Sequence, residues 1–581
     1  MRGGASHARA ISSVRVRAAR ARDGGWGGTQ RGWCALRCAR PRRRAPGGGS
    51  TDPPTCLAVC RSSLRAGARG MPREVITVHV GQCGNQLGTR FWQLALGEHA
   101  ALHRAQQQQQ QQGGGGSESV VATYDDALST FFRNVDGRDR PHAVGSPIDT
   151  LRARAVMVDM EEGPVTEALR GPLGGVLDRK LLLTDVSGSG NNWACGHDFY
   201  GNKYADDLLE LLRTAAEDAD SLQGFFMTHS MGGGTGSGVG SATLELLADA
   251  YPKVFKLAAS VFPSEDDDVV TSPYNALLTL KALADGADAV VPLENQALID
   301  MVRRAEITAK RSERSAAGSV GARAAAARAS AAAAAAEARA APFDSMNALA
   351  ADVLLGLTAS TRFGGELNVD LSEITTNLVP FPRRHMLLAS AAPVPPMRRA
   401  GSEGARSDPR APPQRPAPTS AHANAQAVSA SFALVSSREA QLVRADVRSS
   451  AALCCALLAR GNLSVDDVQR GAARFKKGLR FAHWNLEGVK WGLCSAPPEH
   501  NSHSVLALTN SCAIRHTVGE MTSRFKKLYS RKAFVHEYTK YTDASTFDEA
   551  LESARELIDG YASVDAAREP DAPMRLRPIG R

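Results

Sequence analysis

Seven residues, Gly232–Gly238 reading GGGTGSG, carry the strongest chemical signal in the chain. Glycine leaves out the Cβ atoms, so an anion can approach the backbone amides. A helix start behind the loop adds the positive end of its dipole. Gly224–Ser230, before the loop, reads as a short buried strand; after it, Leu244, Leu247, Ala248 and Tyr251 recur at helical spacing. Strand, glycine loop and helix start make an anion site that suits a di- or triphosphate. The pattern is not G-x-x-x-x-G-K-[ST], because no lysine lies in or just after the loop. Nor is it the dinucleotide spacing G-x-G-x-x-G, since Gly236 and Gly238 are followed by Ser241.

The elements that must position this loop repeat its logic. A strand over Val75–Val80 leads straight into Gly81-Gln-Cys-Gly-Asn-Gln86, then into a helix with Leu87, Phe91, Leu94 and Ala95 on one face. Two helix starts therefore converge on one ligand. Ser187–Trp193 is a third Gly/Asn-rich loop. An apolar strand over Ala153–Met160 brings Asp159, Glu161 and Glu162 to its end, where carboxylates suit water-mediated magnesium coordination. Strands at Leu257–Pro263 and Ala289–Pro292 follow, the second running into Asn295. Strands alternating with helices predict a mostly parallel sheet covered on both faces, with ligand loops along one edge.

The 581 residues suffice for two or three packed units. The net charge of +9 suggests a nucleic-acid binder until it is located. Residues 1–70 hold 15 Arg against Asp23 and Asp52, which leaves the remainder at −4 and without a nucleic-acid footprint. No run of 18 apolar residues exists to span a membrane. Ten cysteines lie scattered, and the neighbours Cys454 and Cys455 make poor disulfide partners, so free thiols in a reducing compartment fit. Cys34, Cys38, Cys56 and Cys60 have zinc-like spacing, but no apolar period surrounds them to build a metal domain.

Residues 1–70 read as a disordered Arg-rich extension, with Met71 as a natural beginning. A domain over 71–302 is interrupted by a low-complexity insertion, 106–117, placed in a loop. An Ala/Arg-rich insertion fills 303–341. Phe343–Phe363 reads as a buried central helix through Met346, Leu349, Val353, Leu354 and Leu357. It opens a region, 342–514, that contains a disordered excursion over 393–427 and strands near Leu479–Trp484, Val489–Cys494 and Val505–Thr509. Residues 515–581 are mainly helical, over Thr522–Tyr541 and Phe547–Tyr561, and finish on Arg575, Arg577 and Arg581.

The motifs GQCGNQ (81–86), GNNWACGH (190–197), HSMGGGTGSG (229–238), SPYNA (272–276), RFGGELNVDL (362–371) and NLVPFPRRH (377–385), in this order, resemble those of the tubulin family. The stretches 124–136, 159–163 and 264–274 are most similar to its epsilon branch. The resemblance implies a tubulin/FtsZ-like α/β fold: a Rossmann-like GTP-binding domain, a central helix, a second α/β domain and a C-terminal helical hairpin. It implies GTP or GDP with Mg2+ as ligands. Ser230, Gly233, Gly234, Thr235 and Gly236 would cradle the phosphates, with Gln82 and Cys83 opposite and Asn191 near sugar and phosphates. Asp159 and Glu161 would sit near the magnesium and γ-phosphate. Asn295 and Asn347 would read the guanine edge, and Phe343 would stack on the base.

Hydrolysis in this family takes a carboxylate from the next stacked subunit, and Asn368–Glu373 resembles the alpha-type stretch that supplies it. Glu373, with Asp370, is thus the implied catalytic acid. The implied setting is cytoplasmic and cytoskeletal, at centrioles, basal bodies and centrosomes. Implied partners are other tubulins (alpha, beta and delta) and centriolar proteins, not nucleic acid or membrane. The reading left open beside a GTPase is a centriolar scaffold that holds GTP or GDP without turnover. Three departures from the family stand out. The 393–427 excursion falls where protofilaments touch side to side, the acidic C-terminal tail is replaced by a basic end, and Ser272 replaces a ribose-contacting glutamate.

Overall fold

The computed structural model describes residues 73–568 except 113–125, 136–149, 265–266, 268, 317–342, 364–366, 395–420 and 500. The Arg-rich extension, the basic end and most of the expected 303–341 and 393–427 insertions lie outside those residues.

The strands are β1 (Glu74–Val80), β2 (Phe132–Asn134), β3 (Leu151–Ala153), β4 (Ala155–Asp159), β5 (Leu182–Thr184), β6 (Leu222–Ser230), β7 (Phe255–Phe262) and β8 (Ala289–Glu294). They are followed by β9 (Leu387–Ala392), β10 (Ala451–Gly461), β11 (Arg480–Phe481), β12 (Val489–Cys494) and β13 (His503–Ser511). The helices begin with α1 (Gly81–Gln112), α2 (Glu162–Arg170), α3 (Ala205–Glu217), α4 (Gly240–Ala250), α5 (Ser272–Gly286) and α6 (Asn295–Ala316). Then come α7 (Asp344–Arg362), α8 (Leu371–Leu378), α9 (Ala421–Val435), α10 (Val465–Lys477), α11 (Ile514–Tyr529), α12 (Val535–Tyr538) and α13 (Ser545–Ala566).

The first sheet has the order β5-β4-β1-β6-β7-β8, with every pairing parallel. All seven residues of β1 are buried, as a central parallel strand covered on both faces requires. The chain leaves β1 for β4 on one side and later returns through β6 on the other. The β1/β6 boundary is therefore the switch point, where the carboxyl ends of parallel strands open a crevice for ligands. The second sheet is mixed, with β10 parallel to β11 and β12 and antiparallel to β13, which pairs with β9.

The central helix α7 lies between the halves, with Met346, Leu349, Val353, Leu354 and Leu357 all buried. Leu354 is fully enclosed in the core it shares with both sheets. Leu354→Ala is expected to destabilise the protein by about 2–5 kcal/mol, read as a lower urea midpoint, through lost transfer energy and the cavity left behind.

Several expectations are corrected. The glutamine run 106–112 is not in a loop; α1 continues through it to Gln112. Glutamine propagates a helix well once the apolar face of α1 has nucleated one. Helix α6 runs on to Ala316, into the segment read as an insertion. Helix α9 begins at Ala421, inside the excursion expected to be disordered, because Val428, Phe432 and Val435 lie on one face and are buried. The strand near Leu479–Trp484 shrinks to Arg480–Phe481. The helix expected over Thr522–Tyr541 stops at Tyr529, and Lys532 and Phe534 take positive φ before α12.

Candidate phosphate-binding site

Three loops meet at the switch point. Gly81, which follows β1 and opens α1, has φ +74°, and a Cβ there would stand 2.8 Å from the Gly236 nitrogen, so the first loop rests directly on the backbone of the second. A Cβ on Gly234 would stand 2.5 Å from Ser189 Oγ and 2.7 Å from the Asn192 nitrogen, which brings in the third loop. Ser189 and Thr235 share a hydrogen bond between hydroxyls at 2.9 Å. Asn191 takes φ +53°, and its Oδ1 lies 3.8 Å from where a Gly233 Cβ would be. Ser230 ends β6 beneath Gly236, and Gln82 and Cys83 open α1 opposite. Gln82 is exposed and Cys83 half-buried, and burial pushes the Cys83 thiol up to about 11, so it stays protonated.

Neutral histidines support the cradle from below. His229 Nδ1 donates to the Gly236 carbonyl at 3.0 Å, and its Nε2 accepts from Ser260 Oγ at 2.8 Å. Burial lowers His229 to about 4. Trp92 Nε1 donates to His79 Nε2 at 3.2 Å, which leaves Nδ1 to donate to Thr228 Oγ1 at 2.6 Å; burial lowers His79 to about 3. His197 differs. It stacks on Trp193 at 4.2 Å between the carboxylates of Asp198 and Glu245. Burial works against its charge, but the two carboxylates prevail and raise it to about 9.

Asn275 joins the loops. Its Nδ2 donates to the carbonyls of Asn191 (2.9 Å) and Gly232 (2.7 Å), and its Oδ1 accepts from the Trp193 amide (2.9 Å). Ser272, one helical turn away, is buried and donates to Asp267 at 2.6 Å.

The acidic corner fits a cation. Asp159 ends β4 almost fully buried, and its Oδ1 accepts from the Glu161 amide at 3.3 Å. Its Oδ2 and the Oδ1 of neighbouring Asn85 are buried without a hydrogen-bond partner. Burial, with some help from the Glu161 charge, pushes the Asp159 carboxyl up to about 6. Glu161 is exposed at the start of α2. Among the described residues no group of three or more His, Cys, Asp or Glu forms a metal cage. Magnesium suits such a place, because it keeps most of its waters and binds through one or two carboxylates plus phosphate.

Asn295 starts α6 at the carboxyl end of β8, on the same sheet edge. Phe343 is half exposed at the start of α7, where its carbonyl accepts from the Asn347 amide at 2.8 Å. Helices α1 and α7 pack together, and Glu98 bonds Arg362 at 2.8 Å. That pair lies about 26 Å along each helix from its start, at 1.5 Å per residue. Among the described residues no hydrogen bond joins Asn295, Phe343 or Asn347 to the phosphate loops.

Glu373 and Asp370 stand elsewhere. Asp370 pairs with Arg73, the residue before β1, at 3.1 Å, and caps α8 by accepting from the Glu373 amide at 2.7 Å. Its carboxylate is thus occupied in holding the helix. Glu373 is half exposed beside Lys490 at 3.8 Å. Both therefore sit at the amino end of the sheet, a full strand (about 20 Å) from the loops at its carboxyl end.

Residues 74–303 match the Tubulin/FtsZ family, GTPase domain, and residues 413–523 the Tubulin C-terminal domain. The chain is 43% identical to the tubulin epsilon chain of Mus musculus over 86% of its own length and 98% of that protein. It is 42% identical to the tubulin epsilon chain of Homo sapiens over 85% and 97%. The tubulin beta-1 chain of Colletotrichum graminicola is 30% identical over 86% and 96%. The chain belongs to the tubulin family. As a tubulin with the family's GTPase domain it binds GTP, and all three loops fall within that domain's match.

Asn85, His229 and Asn275 lie inside the motifs GQCGNQ, HSMGGGTGSG and SPYNA, but nothing in the sequence assigned any of the three a role at this tubulin site. Asn85 and Asn275 take their partners from distant segments, at Val158, Asn191 and Gly232, and His229 joins Gly236 to Ser260.

Proposed function

We propose that this protein is an epsilon-type cytoskeletal subunit of centrioles and basal bodies, binding GTP itself and completing hydrolysis in the tubulin it stacks upon. The supporting observation is the separation of Glu373 from the phosphate loops by the length of the sheet. An acid placed there cannot serve its own site, and head-to-tail stacking would bring it over a neighbour's γ-phosphate. In that role Glu373 orients or deprotonates the attacking water, while the loop amides stabilise phosphoryl charge. Asp159 and Glu161 would hold magnesium through its waters, and the bound ion would neutralise phosphate charge. Asn295 and Asn347 would read guanine, with Phe343 stacked on it. Alpha, beta and delta tubulins and centriolar proteins are the proposed partners.

Glu373→Ala is expected to lower assembly-dependent GTP hydrolysis about 10²–10⁴-fold while leaving bound nucleotide unchanged. Full hydrolysis by that variant in a reconstituted polymer rejects the assignment. A scaffold that keeps its nucleotide without turnover is the second reading, favoured by Lys490, which competes for Glu373 at 3.8 Å. Single-turnover hydrolysis with and without alpha/beta-tubulin separates the two, and chromatography of nucleotide released from purified protein tests the guanine assignment.

Magnesium retention should depend on pH through Asp159. Its folded pKa of about 6 lies above the ordinary carboxylate value, so the metal-free fold gains a proton as pH falls through 6. Magnesium must displace that proton, so its affinity is expected to drop up to about tenfold per pH unit below 6. Asp159→Asn should flatten the profile, measured by magnesium titration of the nucleotide-loaded protein.

A further inference from the structure

The third loop passes through two consecutive left-handed residues, Gly190 at φ +56° and Asn191 at φ +53°. Glycine enters that region freely. Asparagine does so more readily than most residues, but at a cost that its surroundings must offset. The start of α5 supplies the constraint. Two donors converge on the Asn191 carbonyl, Asn275 Nδ2 at 2.9 Å and Thr271 Oγ1 at 3.0 Å, which occupies both of its lone pairs. Thr271 is the N-cap residue of α5, a position from which threonine ordinarily accepts from its own helix, yet its side chain makes no cap bond. Its hydroxyl is given over to Asn191.

Asn275 is fully buried and commits its whole amide. Besides Asn191, its Nδ2 donates to the Gly232 carbonyl at 2.7 Å. Its Oδ1 accepts from the Trp193 amide at 2.9 Å and from the Tyr538 hydroxyl at 2.6 Å. Turned over, the amide would set its oxygen against two carbonyls and its NH2 against two donors, so one orientation alone fits. The third loop is thereby fixed to Gly232, at the head of the glycine loop. Asn191 Oδ1 lies 3.8 Å from where a Gly233 Cβ would be, which puts the held side chain on the phosphate cradle.

We propose that Thr271 and Asn275 are positioning residues for nucleotide binding, which clamp Asn191 in its left-handed conformation and so aim its side chain at the ligand's phosphates. The proposal rests on the loops holding a guanine nucleotide. Thr271 acts through Asn191 alone, and Asn275 acts through Asn191 and Gly232 together. A loop without the clamp would have to be ordered anew at each binding event, so the nucleotide would be held less long. Diverting the Thr271 hydroxyl leaves α5 without its side-chain cap, a local loss of helix stability that follows when the residue serves the loop instead.

The test uses the full-length protein and a fluorescent GDP, whose release is followed after a chase with unlabelled GDP. Thr271→Val keeps the shape and removes the hydroxyl; it should release GDP about threefold faster than the wild type. Asn275→Ala removes a donor to each of two carbonyls and should release GDP about tenfold faster or more. Asn191→Gly then shows whether the effect runs through Asn191. Glycine takes φ +53° without strain and has no side chain to aim. In that background, whatever its own release rate, Thr271→Val should change release by less than about 1.5-fold. A merely structural hydroxyl would speed release equally in both backgrounds, and that result overturns the positioning role. GDP release unmoved by Thr271→Val in an otherwise wild-type protein overturns it as well. If Asn275→Ala does not fold, the Thr271→Val and Asn191→Gly cycle decides alone. Wild-type protein that binds no guanine nucleotide defeats the GTP reading and the clamp with it, whereas wild-type binding with unmoved release defeats the clamp only.

Discussion

Glu98→Ala is expected to remove about 3–5 kcal/mol of stability, a large share of what a protein of ordinary stability has, and to lower the yield of soluble protein. Glu98 is 2% exposed on α1 and accepts from Arg362, at the end of the central helix, at 2.8 Å, and from Arg460, on β10, at 2.9 Å. One carboxylate thus pins the first sheet's leading helix, the central helix and the second sheet. Burial alone would push the Glu98 carboxyl up, but the two guanidiniums outweigh it and hold it below the ordinary carboxylate range. The sign follows: this stability is present above the unfolded glutamate's pKa and is lost on acidification. Without the acid, two buried cations face each other, with the Asp352 carboxyl and the backbone carbonyls of Leu355 and Ala496 as partial compensation. Glu98→Gln keeps the shape and some hydrogen bonds, so it should lose less. Urea unfolding of the two variants against wild type measures the difference.

Gly81→Ala should cost about 2–5 kcal/mol and lower nucleotide retention by tenfold or more. An L-residue at φ +74° carries roughly 1–2 kcal/mol of strain, and its Cβ, 2.8 Å from the Gly236 nitrogen, must push two loops apart. The neighbour it meets is backbone, which has no rotamer to escape into. Gly519, in the interior of α11, is the control: a Cβ there meets nothing within 4 Å, so Gly519→Ala should be neutral or slightly stabilising. Thermal unfolding, together with retained-nucleotide measurements, separates the two substitutions.

Much of this arrangement was legible in the residues because it is written in short, local patterns. The glycine loops follow apolar runs and precede helical periods, so Gly81–Gln86 and Gly232–Gly238 could be placed at one sheet edge without coordinates. The central helix showed its face through five apolar residues at helical spacing. Composition misled where it changed inside a segment. Pro, Arg and Ser dominate 393–420, yet Val428, Phe432 and Val435 just beyond carry a helix that packs beside α10. Helix α10 itself has a capping box, Ser464 with Asp467, and buried Val468, Ala472 and Phe475, a signal present in the sequence and missed. The hubs are another matter. Asn275 reaches Asn191 and Gly232 from across the fold, and Tyr538 reaches Asn275 across 263 residues of sequence. No periodicity encodes such contacts, because they exist only after the sheet and the C-terminal helices have docked.

The histidines around the loops bear on how this cradle behaves as conditions change. His79 and His229 stay uncharged down to about pH 4, and His197 stays charged up to about 9. None of the three exchanges a proton across the neutral range, although imidazole is the side chain that ordinarily does so there. The frame that fixes the Gly236 carbonyl therefore keeps one electrostatic state through any shift a cell undergoes. Proton-driven changes in nucleotide hold are left to Asp159 and to the phosphates themselves, with the three imidazoles a fixed reference for both.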